Sequence, residues 1–123
     1  MNRTEFEKYI NEFYATDPEY PFEGDPVTAV FRHSSNKKWF AIVMHIPIRR
    51  LGVDRDGEVD VVNLKCEPLY IVSLIHDEGI HKAYHMNKAH WISVRLDGSV
   101  DADKVKWLLD MSYDLTLPKR RRK

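Results

Sequence analysis

The stretch AYHMNKAHWISVRLDG, residues 83–98, decides what kind of fold this chain takes. From Trp91 to Leu96 apolar and polar side chains alternate, the period of an extended strand whose neighbours point to opposite faces. Ile92, Val94 and Leu96 are expected to point inward, leaving Trp91, Ser93 and Arg95 on the other face. Just upstream, IHKAYH (80–85) also reads as a strand, so two antiparallel strands, 80–85 and 90–98, are expected to be joined by MNKA.

Working outward, Pro68 suits the first turn of a helix, where its missing N–H costs nothing, and Gly79 suits the end, which predicts a helix over 68–78. Before it, DRDGEVDVVNLKC places Asp56 and Gly57 at a tight turn, because that pair readily takes positive φ. A strand then runs over 58–66, with Val59, Val61 and Asn63 facing one way and Val62 and Leu64 the other. Two earlier strands, 27–33 and 38–46, are separated by the polar turn SSNK, and the second is apolar on both faces, as a central strand would be. Thr4 and Glu7 form a capping box for a helix over 4–14 carrying Phe6, Tyr9, Ile10 and Phe13. TDPEYPFEGDP reads as an ordered connector anchored by Tyr20 and Phe22. At the other end Asp101 can cap a helix with Val105, Trp107, Leu108, Leu109 and Met111, running to about Leu115 and stopped by Pro118. The order α-β-β-β-α-β-β-α is that of an α+β domain with an antiparallel sheet covered by helices. One domain is expected over 1–118, followed by a basic tail, KRRRK, at 119–123.

Composition narrows the class. A chain of 123 residues, 43% hydrophobic and 31% charged, is globular rather than disordered. No apolar run approaches the roughly 18 residues of a membrane span, and the start has no signal-peptide core, so a cytoplasmic protein with no membrane partner is expected. The lone Cys66 agrees with a reducing compartment. A formal net charge of zero conceals an asymmetry: residues 1–118 hold 14 basic against 19 acidic side chains, a net of −5. A polyanion must therefore approach a selected face or the tail.

Three segments carry a family resemblance: VNLKCEP (62–68), AYHMNKAHWISVRLDGS (83–99) and SYDL (112–115). They closely resemble the signature of the MmcQ/YjbR-like proteins, and the order of elements resembles that family over nearly the whole chain. The resemblance implies a fold similar to the CyaY (frataxin) type and DNA binding through paired β-hairpin wings. Function must still be argued from the site, because folds host many activities.

As a DNA-binding surface, the signature offers Lys82, Lys88 and Arg95 for phosphates, with Asn87 and His90 for base edges or for fixing the turn. Asn63, Lys65, Tyr84, His85 and Trp91 complete it as structural residues, with Trp91 supporting the hairpin. Residues 63–98 hold four basic and four acidic side chains, a weak electrostatic footprint that the tail would reinforce. The competing structural reading has Asn87 and Lys88 simply making a turn while His85, His90 and Arg95 pair with backbone or acids. The competing functional reading is a small-ligand or protein-interaction module on the same face.

His76, His81, His85 and His90, with Cys66, are ligand types that zinc prefers, but His81 and His85 on one strand face lie about 13 Å apart. Glu5, Glu7 and Glu12 on the first helix raise the iron association of frataxin-like proteins, yet such carboxylates are the ordinary solvated face of a helix. No metal, cofactor or catalysis is expected, since Cys66 in an apolar strand reads as an inert core thiol.

Overall fold

Asn2, rather than Thr4, caps the first helix: its side chain accepts from the Glu5 amide while the Glu5 carboxylate accepts from the Asn2 amide. The computed structural model describes residues 1–118, so the basic tail at 119–123 lies outside the described residues. After α1 (Arg3–Tyr14) come β1 (Ala29–Arg32), β2 (Trp39–Pro47), a 3-10 turn (Ile48–Leu51), β3 (Glu58–Lys65), α2 (Pro68–Leu74), β4 (Ile80–Lys82), β5 (Trp91–Arg95) and α3 (Ala102–Thr116). This is the expected α+β order. The described strands form one antiparallel sheet in the order β1-β2-β3-β5-β4.

The helices cover one face of the sheet. Phe6 and Ile10 of α1 and Val105, Leu108 and Leu109 of α3 bury themselves against Phe40, Val62, Leu64 and Ile92. Polar contacts fix α3 in place. β2 and β3 pair as far as Ile42 with Asn63, and Phe40 and Lys65 lie just beyond that last pair, where the β1–β2 register also shifts. There the buried Ser112 hydroxyl donates to the Phe40 carbonyl (2.6 Å) and accepts from the Lys65 amide (2.8 Å), tying α3 to both strands. Tyr113 stacks on Tyr14 at 4.2 Å and meets Phe40 edge-on, so the SYDL segment serves as a clamp between helix and sheet.

The opposite face carries Val30, Ile42, Met44, Val59 and Val61, and loops cover it instead of helices. The β2–β3 link leaves the sheet at the Pro47–Glu58 end, whereas the β4–β5 link leaves at the Lys82–Trp91 end, beside Lys65. Both links fold back over the same face, bringing Ile48, Leu51 and Val53 from one and Tyr84 and Met86 from the other.

Several expectations are corrected. Asp56 and Gly57 do not form a tight hairpin: the connection is the ten residues 48–57, in which the 3-10 turn closes on Gly52 and Gly57 alone of that pair has positive φ. The apolar Ile48, Leu51 and Val53 draw this loop onto the sheet, which a two-residue turn would forbid. Helix α2 ends at Leu74, and strand β4 ends at Lys82 instead of reaching residue 85. Trp107 is 45% exposed rather than a core residue. Ser93 and Arg95 do point away from Ile92 and Val94, but they are buried because the second face is covered too. Gly79, with φ +84°, sits where a side chain would collide with Ser99 and Val100.

Candidate nucleic-acid interface

The signature hairpin is paired over three residues only, Ile80 with Val94, His81 with Ser93 and Lys82 with Ile92. Beyond Lys82 a buried polar triangle turns the chain back over the sheet. The Tyr84 amide donates to the Ser93 hydroxyl (2.8 Å), that hydroxyl donates to the Asn63 side-chain oxygen (2.5 Å), and the Asn63 amide donates to the Tyr84 carbonyl (2.7 Å). Every partner is satisfied, as a buried network requires. The next residue, His85, takes the left-handed conformation (φ 59°) and its ring lies edge-on to Tyr84 at 4.0 Å.

Asn87 fixes the following turn. Its side-chain oxygen accepts from the Ala89 amide (2.8 Å), and its carbonyl accepts from the amides of His90 (3.2 Å) and Trp91 (3.0 Å). Asn87 and His90 are exposed, and the His90 carbonyl accepts from the Cys66 amide, so both positions also hold backbone together. Trp91 is half-buried in the loop-covered cluster, where it supports the hairpin from below.

Three cations converge beside this loop. Lys82, Lys88 and Arg50 line a depression of about 410 Å³ with Leu51, Ala83, Tyr84 and His85, and no acidic side chain contributes to its wall. Among the described residues none of the three joins an ion pair, in contrast to Arg49, which is held by Asp54 (2.7 Å) and Asp56 (2.9 Å). Unneutralised cations around a concavity on an acidic body focus a positive potential there. Lys65 is half-buried on the far side of the loop, outside this depression but near Trp91.

Arg95 does not join them. It is 7% exposed and its Nε donates to Asp97 at 2.9 Å, so the expected phosphate contact is replaced by an internal ion pair. Burial raises the Asp97 carboxyl, but hydrogen bonds from Ser99, the Arg95 charge and the Arg95 hydrogen bond outweigh it and hold the group below its ordinary value. Nearby, burial and the Arg95 charge push the His81 ring down, and its Nε2 is buried with no hydrogen-bond partner among the described residues. Burial pushes the Cys66 thiol up to about 11, which leaves it protonated and a poor nucleophile. Among the described residues no three His, Cys, Asp or Glu side chains gather as a metal-binding group, and no helix is long and apolar enough to cross a membrane.

A family model described as YjbR matches residues 11–115. The chain belongs to the YjbR family. It is 40% identical to a Bacillus subtilis protein named uncharacterized protein YyaQ, over 94% of this chain and 98% of that one. It is 36% identical to the Escherichia coli K12 protein named uncharacterized protein YjbR, over 50% of this chain and 56% of that one. A crystal structure from Pseudomonas syringae superimposes with a TM-score of 0.93 at 45% identity, covering 95% of this chain and all of that one. A Deinococcus radiodurans DUF419 domain superimposes at 0.69 with 27% identity, covering 93% and 77%. In this YjbR chain the signature residues divide by burial. Asn63, Ser93 and Arg95 build the floor, while Lys82, His85, Asn87, Lys88 and His90 stand in solvent above it.

Arg50 is the site residue that sequence reading missed. Its signal was the Arg49–Arg50 pair before Gly52, but nothing in the sequence tells which of the two is consumed by Asp54 and Asp56.

Proposed function

We propose that this YjbR-family protein is a DNA-binding module that holds phosphates through Arg50, Lys82 and Lys88. The observation that supports the reading is their convergence on one depression with no acidic side chain in its wall. Lysine and arginine at a concave surface suit phosphate oxygens, and each neutralised phosphate releases counterions. The wings of this reading are the two folded-back loops, 48–57 and 83–90, rather than projecting ribbons. Asn87 and His90 shape the turn that carries Lys88. The module performs no catalysis and works in the cytoplasm, where a lone cysteine stays reduced. A protein-interaction role has one observation in its favour, the exposed Leu69, Tyr70, Val72 and Trp107 of α2 and α3, but these belong to the helical side of the sheet.

The test is fluorescence anisotropy with mixed-sequence duplex DNA at several salt concentrations. Three phosphate contacts give a slope of log affinity against log salt of about −3, and the pair Lys82→Ala and Lys88→Ala should reduce its magnitude by about 2. Surface changes of this kind leave stability within about 0.5 kcal/mol. The same comparison with a chain ending at Pro118 separates this face from the basic tail. An unchanged affinity and slope in the double variant would sink the assignment.

A further inference from the structure

The basic depression is one of three that adjoin. A second, of about 270 Å³, shares Tyr84 and His85 with it and is otherwise mostly apolar and aromatic, with Phe22, Trp39, Ile42 and Met44 in its wall beside Thr28 and Asn63. A third, of about 380 Å³, shares Trp39 and Met86 with the second and adds Lys37, Lys38, Lys65 and Trp91. Cations therefore stand in the two outer members of a track of three neighbouring depressions, and aromatic rings line the middle one. None of the three walls contains an acidic side chain, although acidic residues outnumber basic ones in residues 1–118.

We infer that the track takes an unpaired DNA strand, with a base seated in the apolar middle cavity and its flanking phosphates on the two basic ends. This rests on the DNA-binding reading above and names the form of DNA bound. Two features favour it over a duplex, and a third over an amphiphile. The β4–β5 ribbon pairs over three residues and then folds back, so it projects nothing that would enter a major groove about 8.5 Å deep. A duplex hides the faces of its bases in the stack, leaving the aromatic cavity without a use, whereas a single strand offers every base face for stacking. Cations on both sides of the cavity match a ligand charged on both sides of an apolar ring. A fatty acid or other amphiphile with one charged end would leave one cluster unanswered.

The experiment compares three short labelled oligonucleotides of one mixed sequence on the full chain: single-stranded, duplex, and single-stranded with abasic central positions. The single strand should bind about tenfold tighter than the duplex, and the abasic strand should lose about fivefold or more, the range expected for one stacked base. Trp39→Leu should lower single-strand affinity toward the duplex value with the salt slope unchanged. The abasic strand needs no variant and so tests the idea even if that substitution disturbs folding. Equal affinity for duplex and single strand, or no abasic loss, overturns the unpaired-strand inference. In that case the DNA reading stands if Lys82→Ala with Lys88→Ala still weakens salt-sensitive duplex binding. Absence of salt-sensitive binding to all three oligonucleotides overturns both.

Discussion

The two faces of the sheet are built from similar apolar side chains but are closed in different ways. On the helical face, Phe40 is fully buried among Tyr14, Phe31, His33 and Tyr113, and Ser112 bonds to the backbone of two strands. On the other face the lid is two loops, held by a few apolar anchors and by the Asn63–Ser93–Tyr84 triangle. Depressions lie on both sides, but those of the helical side include acidic side chains in their walls, whereas those of the loop side hold lysines and Arg50 that join no ion pair among the described residues. On the DNA-binding reading proposed above, stability and recognition fall on opposite sides of one sheet.

The sharpest way to break this division is Phe40→Ala. Loss of a fully buried ring in a close-packed cluster should cost about 3 to 5 kcal/mol, measured by urea unfolding, while the protein that remains folded keeps its DNA affinity. A loss of DNA binding at the same urea-free conditions would mean that the faces are coupled. Asn63→Ala probes the other side. It leaves the Tyr84 carbonyl without its donor and the Ser93 hydroxyl without its acceptor, which should cost about 1 to 3 kcal/mol. Amide exchange should accelerate in residues 83–90 and stay slow in α3; a uniform increase would show that the loop lid and the helical core open together.

Histidines give the smallest contrast. Burial lowers His33 on the helical face, where Nε2 meets the Thr116 hydroxyl at 2.7 Å, and burial also lowers His81 beneath the loops. For both, the neutral ring is favoured in the folded state, so their contribution is complete above the ordinary value of 6.5 and is lost as pH falls through the depressed folded values. His45 runs the other way. Asp60 at 2.8 Å, with Glu58 at 2.7 Å, raises it, so its contribution is complete below 6.5 and is lost as pH rises through the raised value. Thermal melts of His45→Gln should lose a small decline above that pH, small because the ring is exposed and solvent screens the pair. His81→Gln should weaken the acid-side decline more than it changes the melting temperature at neutral pH.

Much of the fold was legible because it rests on local rules. The alternation of Ile92, Val94 and Leu96, the split of Val59 and Val61 from Val62 and Leu64, and the Asp101 cap all appear where periodicity and capping chemistry put them. The first cap slipped from Thr4 to Asn2 because both residues have an acidic residue three positions on, and local pattern does not choose between them. Arg95 was misjudged for a different reason. Alternation assigns a side chain to a face, but whether that face is wet depends on segments far away in the chain.

By itself, then, the sequence determined the element order, the antiparallel α+β class and the inward-facing set, since each follows from repeat distance, turn chemistry and burial of apolar stripes over a few residues. Only the tertiary structure decided that both sheet faces are covered, that Arg95 is spent on Asp97, and that Arg50 joins Lys82 and Lys88 around one depression. Those outcomes depend on two loops meeting from opposite ends of the sheet, a contact between residues more than thirty positions apart that no local pattern encodes.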